Sequence, residues 1–168
     1  MRARALLGVV FALVLTVASA RPAPAAMSCS FNNSPYTMSF NFDPTSGGAA
    51  TATITVSFTC TGITGVSSIV IKAAKGNNGN NVDSREMLES GGPGDLLPYN
   101  ASQNASYSPI FGNGNRGTDT YTTTVNVGNN GHAITFTVYG QIPGAVFGGN
   151  GDVHADTYTD SVKLTMTY

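Results

Sequence analysis

Apolar and polar side chains alternate with a period of two along several stretches of the chain. Over residues 50–60 every second residue is apolar, and the residues between them are threonine or serine. Similar alternation runs through Tyr36–Phe42 and through residues 157–168. Because successive side chains of a β-strand point to opposite faces of a sheet, these stretches are predicted to be strands with one buried and one solvated face.

Shorter runs predict further strands at residues 66–73, 96–100, 107–111, 121–127 and 134–139. Clusters of glycine, asparagine and proline separate the runs, as is typical of hairpins and sandwich corners. A short helix is expected only at residues 84–90, where Ser84 can cap the segment that follows it. Several short strands at this spacing predict an all-β fold, an antiparallel immunoglobulin-like β-sandwich.

The N-terminal segment predicts export. Two arginines precede a largely apolar run over residues 5–18, which ends in small residues. This run is shorter than the ~20 apolar residues that a transmembrane helix needs, and its flanks are typical of a signal peptide. Cleavage after Ala20 and cleavage after Ala25 both fit the sequence. Residues 1–26 are therefore expected to be a signal peptide, and residues 27–168 to form one domain.

The predicted mature chain is mildly acidic. Five basic and nine acidic side chains follow residue 26, and much of the remainder is glycine, asparagine, serine and threonine. Nucleic-acid-binding domains usually carry a basic surface, so a nucleic acid is not an expected partner. No later run is apolar and long enough to predict a transmembrane segment.

The chain offers little of the chemistry that enzymes use. Cys29 and Cys60 are its two cysteines, and an even count in an oxidising compartment predicts one disulfide. A catalytic nucleophile needs a nearby base and an orienting acid, and neither His132 nor His154 stands in such a sequence context. The histidines also lack the spacing of zinc ligands relative to the cysteines. The sequence therefore predicts no catalytic residue, no metal site and no cofactor.

Several short motifs are spread over the predicted mature chain. They are Tyr-Gly-Gln-Ile-Pro at residues 139–143, the terminal run at 157–168, Arg-Glu-Met at 85–87, Leu-Pro-Tyr-Asn at 97–100 and Ile-Phe-Gly-Asn-Gly at 110–114. Together with the early cysteine pair, this set resembles the spore coat protein U family, which includes subunits of archaic chaperone–usher pili. The resemblance covers nearly the whole mature chain.

The resemblance implies an incomplete immunoglobulin-like sandwich that lacks its last strand, so that a partner must supply one. A periplasmic pilus chaperone would lend a strand first, and a neighbouring subunit would replace it at an outer-membrane usher. The acceptor groove would lie between the first and last strands. Its expected lining is Tyr36, Met38, Phe40 and Phe42 on one side and Val162, Leu164, Met166 and Tyr168 on the other.

The implied function is that of a non-enzymatic structural subunit or adhesin, exported through the periplasm to the cell surface, pilus, spore coat or extracellular space. Residues 21–28 are short and proline-rich for a donor strand, so a tip or terminal position in a fibre is expected. Two alternatives stay open. One is a spore-coat or extracellular-matrix protein that does not polymerise. The other is a small secreted lectin-like module that would use Tyr107, Phe111 and Phe147.

Overall fold

The computed structural model describes residues 25–143 and 153–168. Within these residues the chain forms ten strands and two short 3₁₀-helices, at Pro44–Ser46 and Val127–Asn129. The strands are β1 (Ser28–Phe31), β2 (Tyr36–Phe42), β3 (Ala50–Thr61), β4 (Ser67–Ala73), β5 (Arg85–Glu89), β6 (Leu96–Ser102), β7 (Tyr121–Val125), β8 (Ala133–Ile142), β9 (Asp156–Val162) and β10 (Leu164–Thr167). Nearly all of the predicted signal peptide, residues 1–24, lies outside the described residues. None of the described helices is long and apolar enough to span a membrane.

The strands form two antiparallel sheets around one core. Seven strands lie in the order β1-β3-β8-β6-β5-β9-β2, and three lie in the order β10-β4-β7. Between the sheets, Tyr121 of β7 stacks on Phe136 of β8 with ring centroids 4.0 Å apart. Gly140 of β8 faces Met38 and Phe40 of β2 and has no room for a Cβ atom, so the larger sheet curls until β2 packs against β8. The predicted antiparallel β-sandwich is confirmed.

The clearest alternation in the sequence gives the most regular strands. β3 pairs with β8 from Ala50, opposite Ile142, to Thr59, opposite Ala133. β2 pairs with β9 over all its residues, and its four apolar side chains are at most 3% exposed. The threonines and serines between the apolar residues face outwards, which is the arrangement that a period of two predicts.

The helix expected at residues 84–90 is wrong. This segment contains strand β5, which pairs with β6 on one side and with β9 on the other. Alternate side chains of β5 are buried, beginning with Arg85 and ending with Glu89. The period of two is present in the sequence, but charged residues at two of the three buried positions conceal it.

The single strand expected at residues 157–168 is two strands in two different sheets. β9 ends at Val162, opposite Tyr36 of β2, and β10 begins at Leu164, beside β4. Val162 and Leu164 are both buried, so the chain keeps its period of two while it crosses between sheets at Lys163. The alternation therefore cannot reveal that the strand changes partners.

The structure also differs from the sequence analysis at three smaller points. β1 is a strand that the sequence does not predict, because its four residues are too few for a clear alternation. The strand expected at residues 107–111 is reduced to isolated bridges made by Ile110 and Phe111. β7 ends two residues before its predicted end, because Asn126 caps the 3₁₀-helix at Val127–Asn129.

Candidate functional site

A disulfide joins the first strand to the core. Cys29 of β1 and Cys60 of β3 lie directly opposite each other, with their Cα atoms 4.0 Å apart. Cys60 is completely buried. Among the described strands, β3 is the one that pairs with β1, so the disulfide fixes a short edge strand covalently. The predicted Cys29–Cys60 pairing is confirmed.

Two asparagines continue the hydrogen bonding along the edge of β3 beyond the end of β1. The backbone N–H of Asn32 donates to the carbonyl of Ser57 at 2.9 Å. The side-chain amide of Asn33 accepts from the N–H of Ser57 and donates to the carbonyl of Thr55, both at 2.8 Å. The Asn33 side chain thereby replaces one residue of a paired strand. Residues 50–54 of β3 pair with β8 alone within the described structure.

The first half of the predicted acceptor groove belongs to the closed core. Tyr36, Met38, Phe40 and Phe42 are 1–3% exposed, and Val162 is completely buried. β2 and β9 are hydrogen-bonded neighbours along their whole length, so no gap for a further strand lies between them. That these side chains line a groove that binds a partner strand stays a prediction.

The other half of the predicted groove lies in the second sheet. Leu164 is buried, Met166 is partly exposed and Tyr168 is 52% exposed. Met166 lies opposite Ile71 of β4, which is completely buried, so both side chains point to the core face of the sheet. The core is therefore fully covered at Ile71 and only partly covered at Met166.

β10 is an edge strand. It pairs with β4 on one side, and no other described strand pairs with its second side. Residues 164–168 are called the β10 edge below. Here backbone groups without a strand partner lie next to a partly exposed apolar side chain that faces the core. An edge with this combination is a template for the addition of another strand.

A buried arginine links the two sheets. Arg85 of β5 is 1% exposed, although arginine is rarely buried unless it is paired. Its guanidinium donates to the carbonyl of Ala74 at 2.8 and 3.0 Å and to the carbonyl of Phe111 at 2.7 Å. Ala74 directly follows β4, so these bonds hold the larger sheet to the smaller one.

A buried aspartate has a similar structural role. Asp160 of β9 accepts a hydrogen bond from the Tyr99 hydroxyl at 2.7 Å and another from the N–H of Asn77 at 2.8 Å. Burial raises the pKa of Tyr99, and the negative charge of Asp160 raises it further. Burial also raises the pKa of Tyr36 to about 12. Both tyrosines thus stay neutral, and Asp160 is held in the core by two hydrogen bonds.

The aromatic residues of the lectin-like alternative do not form a surface pocket within the described structure. Phe111 is completely buried and packs edge-on against Phe136 with ring centroids 5.9 Å apart. Tyr107 is partly exposed, and Phe147 lies outside the described residues. Because Phe111 is buried, it is not available to a carbohydrate site built on these three rings.

The sequence profile of the Spore Coat Protein U domain matches residues 14–165 of the 168-residue chain. The chain belongs to the Spore Coat Protein U domain family. The match includes the disulfide, strands β1 to β9 and the first two residues of the β10 edge. No curated protein matches the sequence.

Among solved structures, a chain of the chaperone–tip adhesin complex of CFA/I fimbriae is similar to this protein, with a TM-score of 0.43 and 15% identity. The alignment covers 84% of this chain and 41% of the fimbrial chain. This protein therefore spans less than half the length of that relative.

Two of the motifs that this Spore Coat Protein U member carries, Arg-Glu-Met and Tyr-Gly-Gln-Ile-Pro, contribute buried parts of its framework. Arg85 and Met87 both lie on the inner face of β5. Gly140, in the Tyr-Gly-Gln-Ile-Pro motif, is the position on β8 where the side chains of β2 pack against the backbone. The motifs therefore account for the shape of the sandwich, while the β10 edge is its open part.

Proposed function

We propose that this protein is a non-enzymatic structural subunit or adhesin of a bacterial surface assembly, and that its β10 edge accepts a strand from a partner. The observation that carries the proposal is the partly exposed, core-facing Met166 on an edge strand. Membership of the Spore Coat Protein U domain family supports the same function. The partners are a periplasmic chaperone, an outer-membrane usher and neighbouring subunits, and the protein is exported through the periplasm to the surface.

The strands at the other ends of the two sheets, β2, β7 and β1, are less suited to accept a strand. The inner side chains of β2 are already buried, so a strand added there would gain hydrogen bonds but little apolar contact. On β7, Val125 is buried, and Tyr121, although partly exposed, stacks on the ring of Phe136. β1 is held by the disulfide and is four residues long. At β10, an added strand would both complete the hydrogen bonding and cover Met166.

A donor strand supplied in the same chain is expected to stabilise the protein. The change is a C-terminal extension with a flexible linker and a strand of alternating apolar and polar residues. Each donor side chain that becomes fully buried contributes about 1.5–3 kcal/mol, and a strand that binds only the folded form shifts the equilibrium towards it. The measurement is the unfolding midpoint in guanidinium chloride and the fraction of monomer on size exclusion.

The matched control carries the same extension with serine at the apolar positions, and it should leave the midpoint unchanged. Co-expression with the chaperone should improve the yield of the unextended protein in the same way. If the unextended protein is a monodisperse monomer whose stability the apolar extension does not change, the sandwich is complete without a partner and the proposal fails.

We further propose a tip or terminal position for this subunit. Residues 21–28 contain Pro22 and Pro24, and proline cannot donate a hydrogen bond to a neighbouring strand. Mass spectrometry of the exported protein should find an N-terminus at Arg21 or Ala26. When its chaperone complexes are mixed with one another, no ladder of polymers should form on non-denaturing separation. A ladder would contradict the terminal position without affecting the acceptor role of β10.

A further inference from the structure

Three metal-ligating side chains converge at the turn between β5 and β6. They are Glu89 at the end of β5, Asp95 just before β6 and His154 just before β9, and they are called the Glu89 cluster below. Nδ1 of His154 lies 2.8 Å from Oδ2 of Asp95 and 3.9 Å from Oε1 of Glu89. The three potential ligand atoms all lie within 4.8 Å of one another.

The Glu89 carboxylate is held inside this turn. Its side chain is 1% exposed, and its Oε2 atom accepts hydrogen bonds from the N–H groups of Gly94 at 3.2 Å and Asp95 at 3.3 Å. The turn wraps closely around the carboxylate, because a Cβ atom on Gly92 would collide with it. Oε2 is thus bound by the backbone, and Oε1 is directed towards His154.

The surroundings of the Glu89 cluster are strongly negative. The Asp156 carboxylate lies at the same turn, where it accepts from the N–H of Gly91 at 3.0 Å. Among the described residues, no lysine or arginine forms an ion pair with these carboxylates. A buried carboxylate normally requires a compensating charge, and the imidazole of His154 is 54% exposed.

The spacing of the three atoms suits a small divalent cation. Tetrahedral zinc sites have bonds of about 2.0–2.2 Å, which place neighbouring ligand atoms about 3.3–3.6 Å apart. The distances from Nδ1 to the two carboxylate oxygens, 2.8 and 3.9 Å, lie on either side of this range. The two carboxylate oxygens lie within 4.8 Å of each other, so movements of the exposed His154 and the partly exposed Asp95 side chains would bring all three ligand atoms into this range.

We propose that the Glu89 cluster binds one divalent cation of the zinc class through Oε1 of Glu89, Oδ2 of Asp95 and Nδ1 of His154, with water in a fourth position. The imidazole ligand favours zinc and neighbouring transition metals over Ca²⁺ and Mg²⁺, which prefer oxygen ligands. The ion carries two positive charges and compensates the two carboxylates. The Tyr158 hydroxyl donates to the His154 carbonyl at 3.0 Å and so holds the ligand's backbone in place.

The bound ion links the β5–β6 turn to the segment that leads into β9. β5 and β9 already pair there, with Glu89 opposite Tyr158, so the ion reinforces an existing contact between strands. The β10 edge begins only after Lys163, at the other end of β9. Metal binding and strand acceptance therefore use different residues, and the failure of one would leave the other unaffected.

Zinc titration of the tag-free, disulfide-bonded protein tests this site. Isothermal titration calorimetry with ZnCl₂ is expected to show about one ion per chain, and excess zinc should raise Tm because it binds the folded form. His154→Ala and Asp95→Asn should each weaken zinc binding by roughly 100-fold, since losing even a group that only supports a ligand costs about 10–100-fold. The matched control is His132→Ala, because His132 is the other histidine and is exposed.

Three outcomes overturn the proposal. If no zinc is bound, Glu89, Asp95 and His154 form only a hydrogen-bonded ion pair. Equal weakening of zinc binding by His132→Ala and His154→Ala would indicate nonspecific binding to surface histidines. Binding of CaCl₂ as tight as that of ZnCl₂, with no loss in His154→Ala, would indicate a carboxylate site without the imidazole. Tm values in EDTA that match the wild type exclude misfolding of the variants.

Discussion

The protein with both Cys29 and Cys60 replaced by alanine is expected to lose about 3–4 kcal/mol of unfolding free energy, because a bridge across about 30 residues restricts the unfolded chain by that amount. The two cysteines are 31 residues apart in sequence. Their bond also holds β1, which otherwise has only a four-residue pairing with β3. The measurement is equilibrium unfolding in guanidinium chloride, with the wild type under oxidising and reducing conditions for comparison.

Ser30→Ala is the matched control for the disulfide. Ser30 lies between the two positions that face the core and is exposed, so its loss should change the unfolding free energy by less than about 0.5 kcal/mol. The reduced wild type should unfold close to the double variant. An unfolding midpoint that does not depend on reductant would mean that the disulfide contributes nothing to the stability of the sandwich.

The sequence predicts those strands whose inner face is wholly apolar. β2 and β3 were accessible to prediction because every inward residue is apolar and every outward residue between them is polar. β5 was not, because the charged residues Arg85 and Glu89 occupy inward positions. Arg85 binds carbonyls 11 and 26 residues away, and Glu89 accepts hydrogen bonds from the turn that follows it. The alternation of apolar and polar residues contains no sign of these contacts.

The partners of a strand are less predictable than the strand itself. Residues 157–168 alternate without interruption, yet the chain changes sheets at Lys163. Asp160 has the same parity as Tyr158 and Val162 and is buried with them, whereas its charge alone predicts an exposed position. The Tyr99 and Asn77 groups that bind its carboxylate come from two other segments of the chain.

The candidate sites were also predictable only where a local pattern was enough and contacts between distant segments were not needed. The disulfide was predicted because a pair of cysteines in an exported chain has one simple partner choice. The residues of the β10 edge were predicted as part of a groove, but the opposite side of that groove was assigned to β2, which pairs with β9 instead. The Glu89 cluster combines residues 59 or more positions apart, Asp95 with His154 and Glu89 with His154. The pairing of β5 with β9 brings these residues together, so no local sequence motif predicts the cluster.

Met166→Asp is expected to abolish capture by the chaperone. The substitution places a carboxylate at a position that faces the core and that an added strand would cover. Burying an unpaired carboxylate costs several kcal/mol, and about 1.4 kcal/mol corresponds to a tenfold change in affinity. Binding should therefore weaken by roughly 100-fold or more. The measurement is recovery of the chaperone with the affinity-purified subunit from the periplasm.

Thr165→Asp is the matched control for Met166→Asp. Thr165 is the preceding residue of β10 and is exposed on the opposite face, so the same charge there should leave capture nearly intact. Lys163→Asp, also exposed, should behave in the same way. Met166 is preferable to Leu164 as the test position, because Leu164 is 5% exposed and an aspartate there would unfold the free subunit as well.

The two variants distinguish between two ways in which the assignment of the partner-strand site to the inner face of β10 can be wrong. Equal loss of chaperone in Met166→Asp and Thr165→Asp would mean that the inner and outer faces of β10 are interchanged or that the strand itself is lost. Circular dichroism and disulfide formation distinguish these two cases. Unchanged capture in both variants would mean that the partner strand binds elsewhere. Loss in Met166→Asp alone is the result that a strand added beside β10 requires, because the inward side chains of that strand would cover Met166 but not Thr165.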